Sequence, residues 1–291
     1  MFNYPSVYDA ANLASQNAQN LYLRLVKIEY GFIFALSIVF SSVFGENTDP
    51  ILPIVLLIVL IAVTSLRAWL RLDRKWYAGR ALAESIKTLS WQFAMRGADF
   101  SNRSKVSLAI ADYKSALSET LASNNFAYKQ LLGENVSENT LPISMLKTRA
   151  LSLEERKEFY KVHRVEDQRN WYAKKSRKNK SDNRWAIGLT ISLYVFAVLY
   201  LIVSKALLAV PIDLADPLVV LAAVLLGWIQ LKRYGELAGS YWLTAHEIGI
   251  ASAGLQQIDS ELEFARAIED IETVFSREHT QWVARRSQLD E

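Results

Sequence analysis

The stretch Ile51 to Leu66, ILPIVLLIVLIAVTSL, runs sixteen residues without a charged side chain and without a polar face. A helix packed into a water-soluble core keeps a polar stripe toward solvent, so a helix that is apolar all round belongs in a bilayer. Working outward, three more stretches lose their charges: Gly31–Phe44 (GFIFALSIVFSSVF), Trp185–Val203, and Pro217–Ile229 continuing through Gln230 to Leu231. Crossing the hydrocarbon core takes about 20 residues, with roughly 17 as the lower limit. Three of the four stretches are shorter, which leaves a buried hairpin in a large soluble helical protein as the competing reading. Tyr30, Trp69, Trp76, Trp185, Trp228 and Tyr234 sit near the ends of these stretches. Amphipathic rings gather in this way at membrane–water interfaces. The expected spans are therefore 28–45, 50–68, 185–203 and 215–231.

Charge sets the orientation. The first connection, Gly45–Pro50 (GENTDP), holds two acids and no base, and the second, Ser204–Asp216, sets Lys205 against Asp213 and Asp216. Apart from Lys205 and Arg67, which is placed to snorkel to the headgroups, every Lys and Arg lies in the amino-terminal, middle or carboxy-terminal region. The positive-inside rule makes those three regions cytoplasmic and both hairpin tips external. An even number of spans puts both termini inside. The sequence thus predicts an all-α integral membrane protein of the cell inner membrane, with two transmembrane hairpins and long cytoplasmic helical extensions. The amino terminus, MFNYPSVYDAANLASQNAQN, lacks the basic and apolar regions of a cleavable signal peptide.

Composition agrees. Of 291 residues, 51% are hydrophobic, yet 33 Lys and Arg and 30 Asp and Glu must also be placed, so apolar and charged residues are segregated along the chain. The net charge of +3 is too small to argue for nucleic acid. The absence of cysteine excludes disulfides, thiolate nucleophiles and cysteine-ligated metals.

Residues 68–131 and 232–288 contain no proline and directly follow an apolar stretch, so the second and fourth spans are expected to continue as helices. In the last region Ile258, Leu262, Ala265, Ile268, Ile271 and Phe275 form one helical stripe. Glu261, Glu263, Arg266, Glu269, Asp270 and Glu272 are expected on the other faces. The stripe needs a partner helix, from this chain or from a second copy. Gly133–Leu146 reads as a linker, and Ser152-Leu-Glu-Glu155 offers a capping box for a helix running on toward Trp185. The expected division is 1–132, a linker at 133–150, and 151–291.

The chain lacks the usual marks of an enzyme. His163, His246 and His279 are scattered, and His246-Glu247 is not followed by the second histidine of a metalloprotease helix. No glycine-rich phosphate loop or nucleophile elbow is present. We expect no catalytic residue, cofactor or metal. Three sets of polar residues remain as candidates, each with two open readings. Ser37, Ser41, Thr64 and Thr190 lie within the spans, either facing a pore or bonding backbone and neighbouring helices. Arg80, Glu84 and Glu247 form either a gating or structural ion-pair set or a solvated face. Lys174, Lys175, Arg177, Lys178 and Lys180, from the run KKSRKNK, contact either an anionic ligand or anionic lipid, where each base contributes about 1 kcal/mol.

The layout occurs twice: a charged helix, an apolar hairpin with an acidic tip, then a helix rich in Trp, Tyr, Ala and Glu. Arg80-Ala-x-Ala83-Glu84-Ser85-Ile86-Lys87-x-x-x-Trp91 resembles the segment after the hairpin in the SLATT family, the SMODS- and SLOG-associating two-transmembrane effector domains. Gln168-x-x-Trp171-Tyr172-x-x-Lys175 and Tyr234-x-Glu236-Leu237-Ala238-x-x-Tyr241 resemble another subtype. The resemblance covers most of residues 20–285 and implies two such domains in tandem. It also implies a pore-forming membrane effector of bacterial conflict and antiviral defence systems, acting as a homo-oligomer in the lipid bilayer. Its implied partners are a nucleotide second messenger or a nucleotide-sensing or cyclase protein. A membrane-anchored scaffold recruiting a cytoplasmic partner is the alternative.

Overall fold

The computed structural model describes residues 2–41, 51–101, 105–130, 139–207 and 213–287, and within them regular structure is entirely helical. In chain order the helices are α1 (Ser6–Phe40), α2 (Ile51–Leu70), α3 (Leu72–Met95), α4 (Val106–Ser123), α5 (Asn125–Gln130) and α6 (Ile143–Arg149). There follow α7 (Leu153–Tyr160), α8 (Asp167–Leu207), α9 (Ala215–Lys232), α10 (Tyr234–Ala251) and α11 (Glu261–Ser287). The capping box forms at α7: Glu155 N–H donates to Ser152 Oγ at 3.4 Å, and Ser152 N–H donates to Glu155 Oε2 at 2.9 Å. The expected linker 133–150 contains α6, which buries Met145, Thr148 and Arg149; residues 131–138 lie outside the described ones.

Three helical stretches, Ile51–Met95, Leu153–Ala206 and Ala215–Gln257, are long and apolar enough to cross a membrane. The expected span at 28–45 forms the end of α1 and then leaves the described residues, as do the tip Gly45–Pro50 and part of Ser204–Asp216. No residue of α2 is buried, and Ile51, Ile54, Ile58 and Ile61 are each more than half exposed. Leaving one such side chain in water forgoes roughly 1.5–3 kcal/mol. A bilayer removes that cost for the whole helix at once. Trp69 and Trp185, both 79% exposed, stand where interfacial anchors are expected.

The chain divides into two compact units that cut across its halves. The first, polar unit takes Met1–Gln19, Asp73–Lys174 and Ser240–Glu291. Its core has two parts. One gathers Trp91, Met95, Tyr160, Tyr172, Phe264 and Ile268, with Ile271 and Phe275; the other gathers Leu82, Ile86, Phe93, Tyr113 and Met145. The stripe of α11 thus finds its partners within this chain. Gly97 permits a close approach there, since a Cβ at this position would stand 2.5 Å from Ile268 Cγ2. The second, membrane-type unit takes Asn20–Leu72 and Lys175–Gly239. In it α1 meets α9 at Gly227, where an added Cβ would stand 2.8 Å from Tyr30 Oη.

The helices after α2 and α9 do restart at once, but each does so across a single left-handed residue that the sequence reading did not foresee. Arg71 (φ 45°) separates α2 from α3, and Arg233 (φ 49°) separates α9 from α10. A left-handed residue with a Cβ costs roughly 1–2 kcal/mol, and glycine usually fills this place. Two arginines at matching positions of the two halves therefore mark a repeated break. We predict that Arg233→Gly leaves stability equal or raises it by up to about 1 kcal/mol, whereas Arg233→Val lowers it by roughly 1–2 kcal/mol. Denaturant midpoints of the full chain in a neutral detergent check this, and equal midpoints for the two variants would refute the strained backbone.

Candidate functional site

At the centre of the polar unit an acid and a base are buried together. Glu272, expected on a solvent-facing side of α11, is 0% exposed. It lies one turn beyond Ile268 and one before Phe275, inside the apolar stripe. Arg164 meets it in bidentate fashion, Nε to Oε1 at 2.8 Å and Nη2 to Oε2 at 2.6 Å. Tyr160 Oη donates to Oε1 and Thr88 Oγ1 donates to Oε2, both at 2.9 Å. Burial disfavours the charge on Arg164, but the carboxylate outweighs it and holds the guanidinium above its ordinary range. Burial, and then the same carboxylate, push the Tyr160 hydroxyl well up. Arg164 Nη1 has no acceptor among the described residues, while the guanidinium carbon lies 4.2 Å from the Phe275 ring centroid.

Arg164 is carried by a widened, π-helical segment, Lys161–Glu166, between α7 and α8. Such segments are rare and recur at functional sites. Here the segment stands directly ahead of the helix that contains the third expected span.

The other buried cations of this unit serve helix ends. Arg149 Nη1 donates to Phe93 O at 2.6 Å, and Arg156 Nη1 donates to Met95 O at 2.9 Å, so both guanidinium groups bond carbonyls at the end of α3. Burial, then Arg96 and Arg156, bring Arg149 down to about 10. Glu261 joins this group as the shared acceptor of Arg156 and Arg96. Lys157 Nζ donates to Ile258 O at 2.6 Å.

The amino-terminal residues close the same core. Phe2 stacks on Trp91 with ring centroids 4.1 Å apart, and Trp91 Nε1 donates to Tyr4 Oη at 2.8 Å. Nothing in their sequence spacing marks these residues as core.

Of the residues singled out by sequence, Arg80 and Glu84 come together, Nη2 to Oε1 at 3.1 Å, with Lys87 Nζ 3.6 Å from Glu84 Oε2. Burial lowers Lys87, partly offset by Glu84. Glu247 lies half-buried on α10, outside this cluster. In the membrane-type unit, Ser37 and Ser41 donate to carbonyls of their own helix, Phe34 O at 2.7 Å and Ile38 O at 2.8 Å. Thr190, which is buried, bonds Ala186 O at 2.9 Å, and Thr64 is exposed on α2. Lys174, Lys175, Arg177, Lys178 and Lys180 are all exposed along α8, with Lys178 3.1 Å from Asp182. Sequence reasoning missed one pair: Arg67 Nε reaches Glu29 Oε1 at 2.8 Å, joining α1 to α2 where a snorkelling arginine was expected. Among the described residues no three His, Asp or Glu side chains gather as a metal site.

A polar helical unit joined to a unit of apolar helices, each built from both halves of the chain and together holding three helices able to cross a membrane, defines an all-helical membrane protein. Residues 5–157 match the family described as SMODS and SLOG-associating 2TM effector domain 3, and residues 160–282 match domain 1 of the same series. The chain belongs to this SLATT family and carries two of its domains in tandem, as the sequence motifs implied. No curated protein and no solved structure matches it.

We predict that Glu272→Ala, which strands the Arg164 charge, destabilises the protein by roughly 3–5 kcal/mol, while Arg164→Met with Glu272→Leu recovers most of the loss. Unfolding of the full chain in detergent for Arg164→Met, Glu272→Leu and the two together, read as a double-mutant cycle, measures the coupling. Additive losses would show that the pair does not act as one.

Proposed function

We propose that this protein is a pore-forming membrane effector of a bacterial nucleotide-signal-linked conflict system, active as a homo-oligomer in the inner membrane with both termini cytoplasmic. Family membership supports the effector role, since these are two-span effector domains associated with SMODS and SLOG components. The observation that carries the rest is how the chain passes between its two units. It does so at 19–20, 72–73, 174–175 and 239–240, each time inside a helix. Four helical connections pass a rearrangement on with little of the slack that loops would introduce.

The π segment supplies a way to use them. Returning one surplus residue to α geometry turns everything after it on the same helix by about 100°. A signal that loosens the Arg164–Glu272 contact would thereby turn α8 about its axis and change the faces it offers to other copies. The resting and active states are then two packings whose populations the signal shifts.

Membrane potential during induced expression tests this. The full chain, or its Glu272→Gln variant if the resting state is closed, depolarises bacteria. A control carrying Leu57→Arg and Val198→Arg, which puts a charge into one span of each hairpin, does not. If neither intact form changes the potential while both are found in the membrane fraction, the pore is refuted and the membrane-anchored scaffold takes its place.

A further inference from the structure

We infer that the membrane-type unit holds an anionic phospholipid in a groove between α8 and α9, with its phosphate among the lysines around Trp228 and acyl carbons along Leu189 and Leu225. This goes beyond pore formation and does not depend on it. The groove has a volume of about 810 Å³ and is lined by Trp185, Leu189, Ser192, Leu225, Trp228 and Tyr234, among others. Its lining is apolar along one part and aromatic near the other. Trp228 Nε1 donates to Tyr234 Oη at 3.2 Å, fixing the two rings of that aromatic part together.

The charge lies where a headgroup would need it. Lys27 Nζ and Lys232 Nζ stand 5.6 and 5.8 Å from the Trp228 ring centroid, so two ammonium groups from different helices share one indole. Burial first, and then repulsion from Lys27, Lys175 and Lys178, disfavour the charge on Lys232, against the attraction of one carboxylate, Asp182. Asp182 also lines the groove and already pairs with Lys178. The local balance is positive. An anion entering beside Lys27 and Lys232 relieves it.

The sequence of α8 shows the same polarity along a single face. Lys175, Lys178, Asp182, Trp185, Leu189 and Ser192 follow one another at steps of three and four, so they share one side of the helix. Read along that side, charge gives way to an aromatic ring and then to an aliphatic chain. A phospholipid has the same profile, from phosphate through the interface to hydrocarbon, and Trp and Tyr favour its middle zone. A soluble anion would match only the lysine end and leave the apolar end without a partner. The basic run thus acquires a specific recipient for part of its charge, Lys175 and Lys178 with Lys174 at the edge of the same face, whereas Arg177 and Lys180 fall on other faces.

The test uses the full chain in a neutral detergent, stripped of lipid and titrated with phosphatidylglycerol or phosphatidylcholine of equal chain length. Bound lipid is counted by native mass spectrometry. Phosphatidylglycerol is expected to bind tenfold or more tighter, and Lys27→Gln with Lys232→Gln to abolish the difference, since two bases near the phosphate correspond to about a thirtyfold change. Leu189→Trp, which fills the apolar part, is expected to weaken both lipids. The charge-matched control Lys105→Gln with Lys114→Gln should bind as the parent does. Glycerol phosphate alone should not compete at matched concentration. Equal binding of the two lipids, or no effect of the groove variants, would overturn the proposal. Full competition by glycerol phosphate would overturn it in favour of a soluble anion, and loss of lipid binding on self-association would assign the groove to a second copy.

Discussion

The carboxylate of Glu272 and the guanidinium of Arg164 meet with almost no exposure to solvent, and three separate helical segments must be in register for that to happen. Removing two charges from water costs several kcal/mol per ion, repaid only when geometry is good and the remaining lone pairs are filled. Here both carboxylate oxygens are used twice, by Arg164 and by the hydroxyls of Tyr160 and Thr88. Tyr160 and Arg164 reach the acid from one side of the α7–π segment, Thr88 reaches it from α3, and the acid itself stands on α11. A one-residue slip of α11 would turn the carboxylate about 100° away from Arg164, Tyr160 and Thr88 and leave the guanidinium without its counterion. The pair adds little net energy compared with apolar residues of equal volume. What its geometry favours is one register of α11 against α3 and the α7–π segment.

The compact units ignore the boundary between the repeats because the core of the polar unit draws side chains from both. Thr88 and Trp91 come from the first domain, whereas Tyr160, Arg164, Phe264 and Glu272 come from the second. Either domain alone would expose part of an aromatic core, and the second alone would keep the Arg164–Glu272 pair but lose the Thr88 hydroxyl from it. The polar unit is therefore built jointly by both matched stretches. The family matches, 5–157 and 160–282, describe its ancestry more directly than its shape.

The sequence was most legible where the surroundings tolerate little variation. A bilayer accepts so few charges that the apolar stretches stand out by composition alone, and the capping box at Ser152 is local enough to be read from four residues. Legibility failed where a residue type sits against its usual preference. Arg71 and Arg233 adopt a left-handed conformation that glycine would have signalled. Glu272 was placed outside because acids usually are, although its spacing from Ile268 and Phe275 put it inside the stripe. Glu29 and Arg67 lie 38 residues apart, and no periodicity links them. Phe2 and Tyr4 have no spacing signal, since an aromatic residue before the first helix carries none.

In the membrane-type unit the polar groups are largely satisfied locally. Ser37, Ser41, Thr190 and Ser192 each return their hydroxyl to a carbonyl one turn back, and Glu29 is held by Arg67. Hydroxyls bonded in this way need no partner helix and no water. A conducting path would require several of them to exchange a backbone carbonyl for water, which is nearly even in energy for each hydroxyl but needs neighbouring copies to exclude lipid from the same face. The bias toward one packing or another then has to arise elsewhere. In this chain the contact with enough at stake is the buried pair in the polar unit, where the loss of one partner costs several kcal/mol.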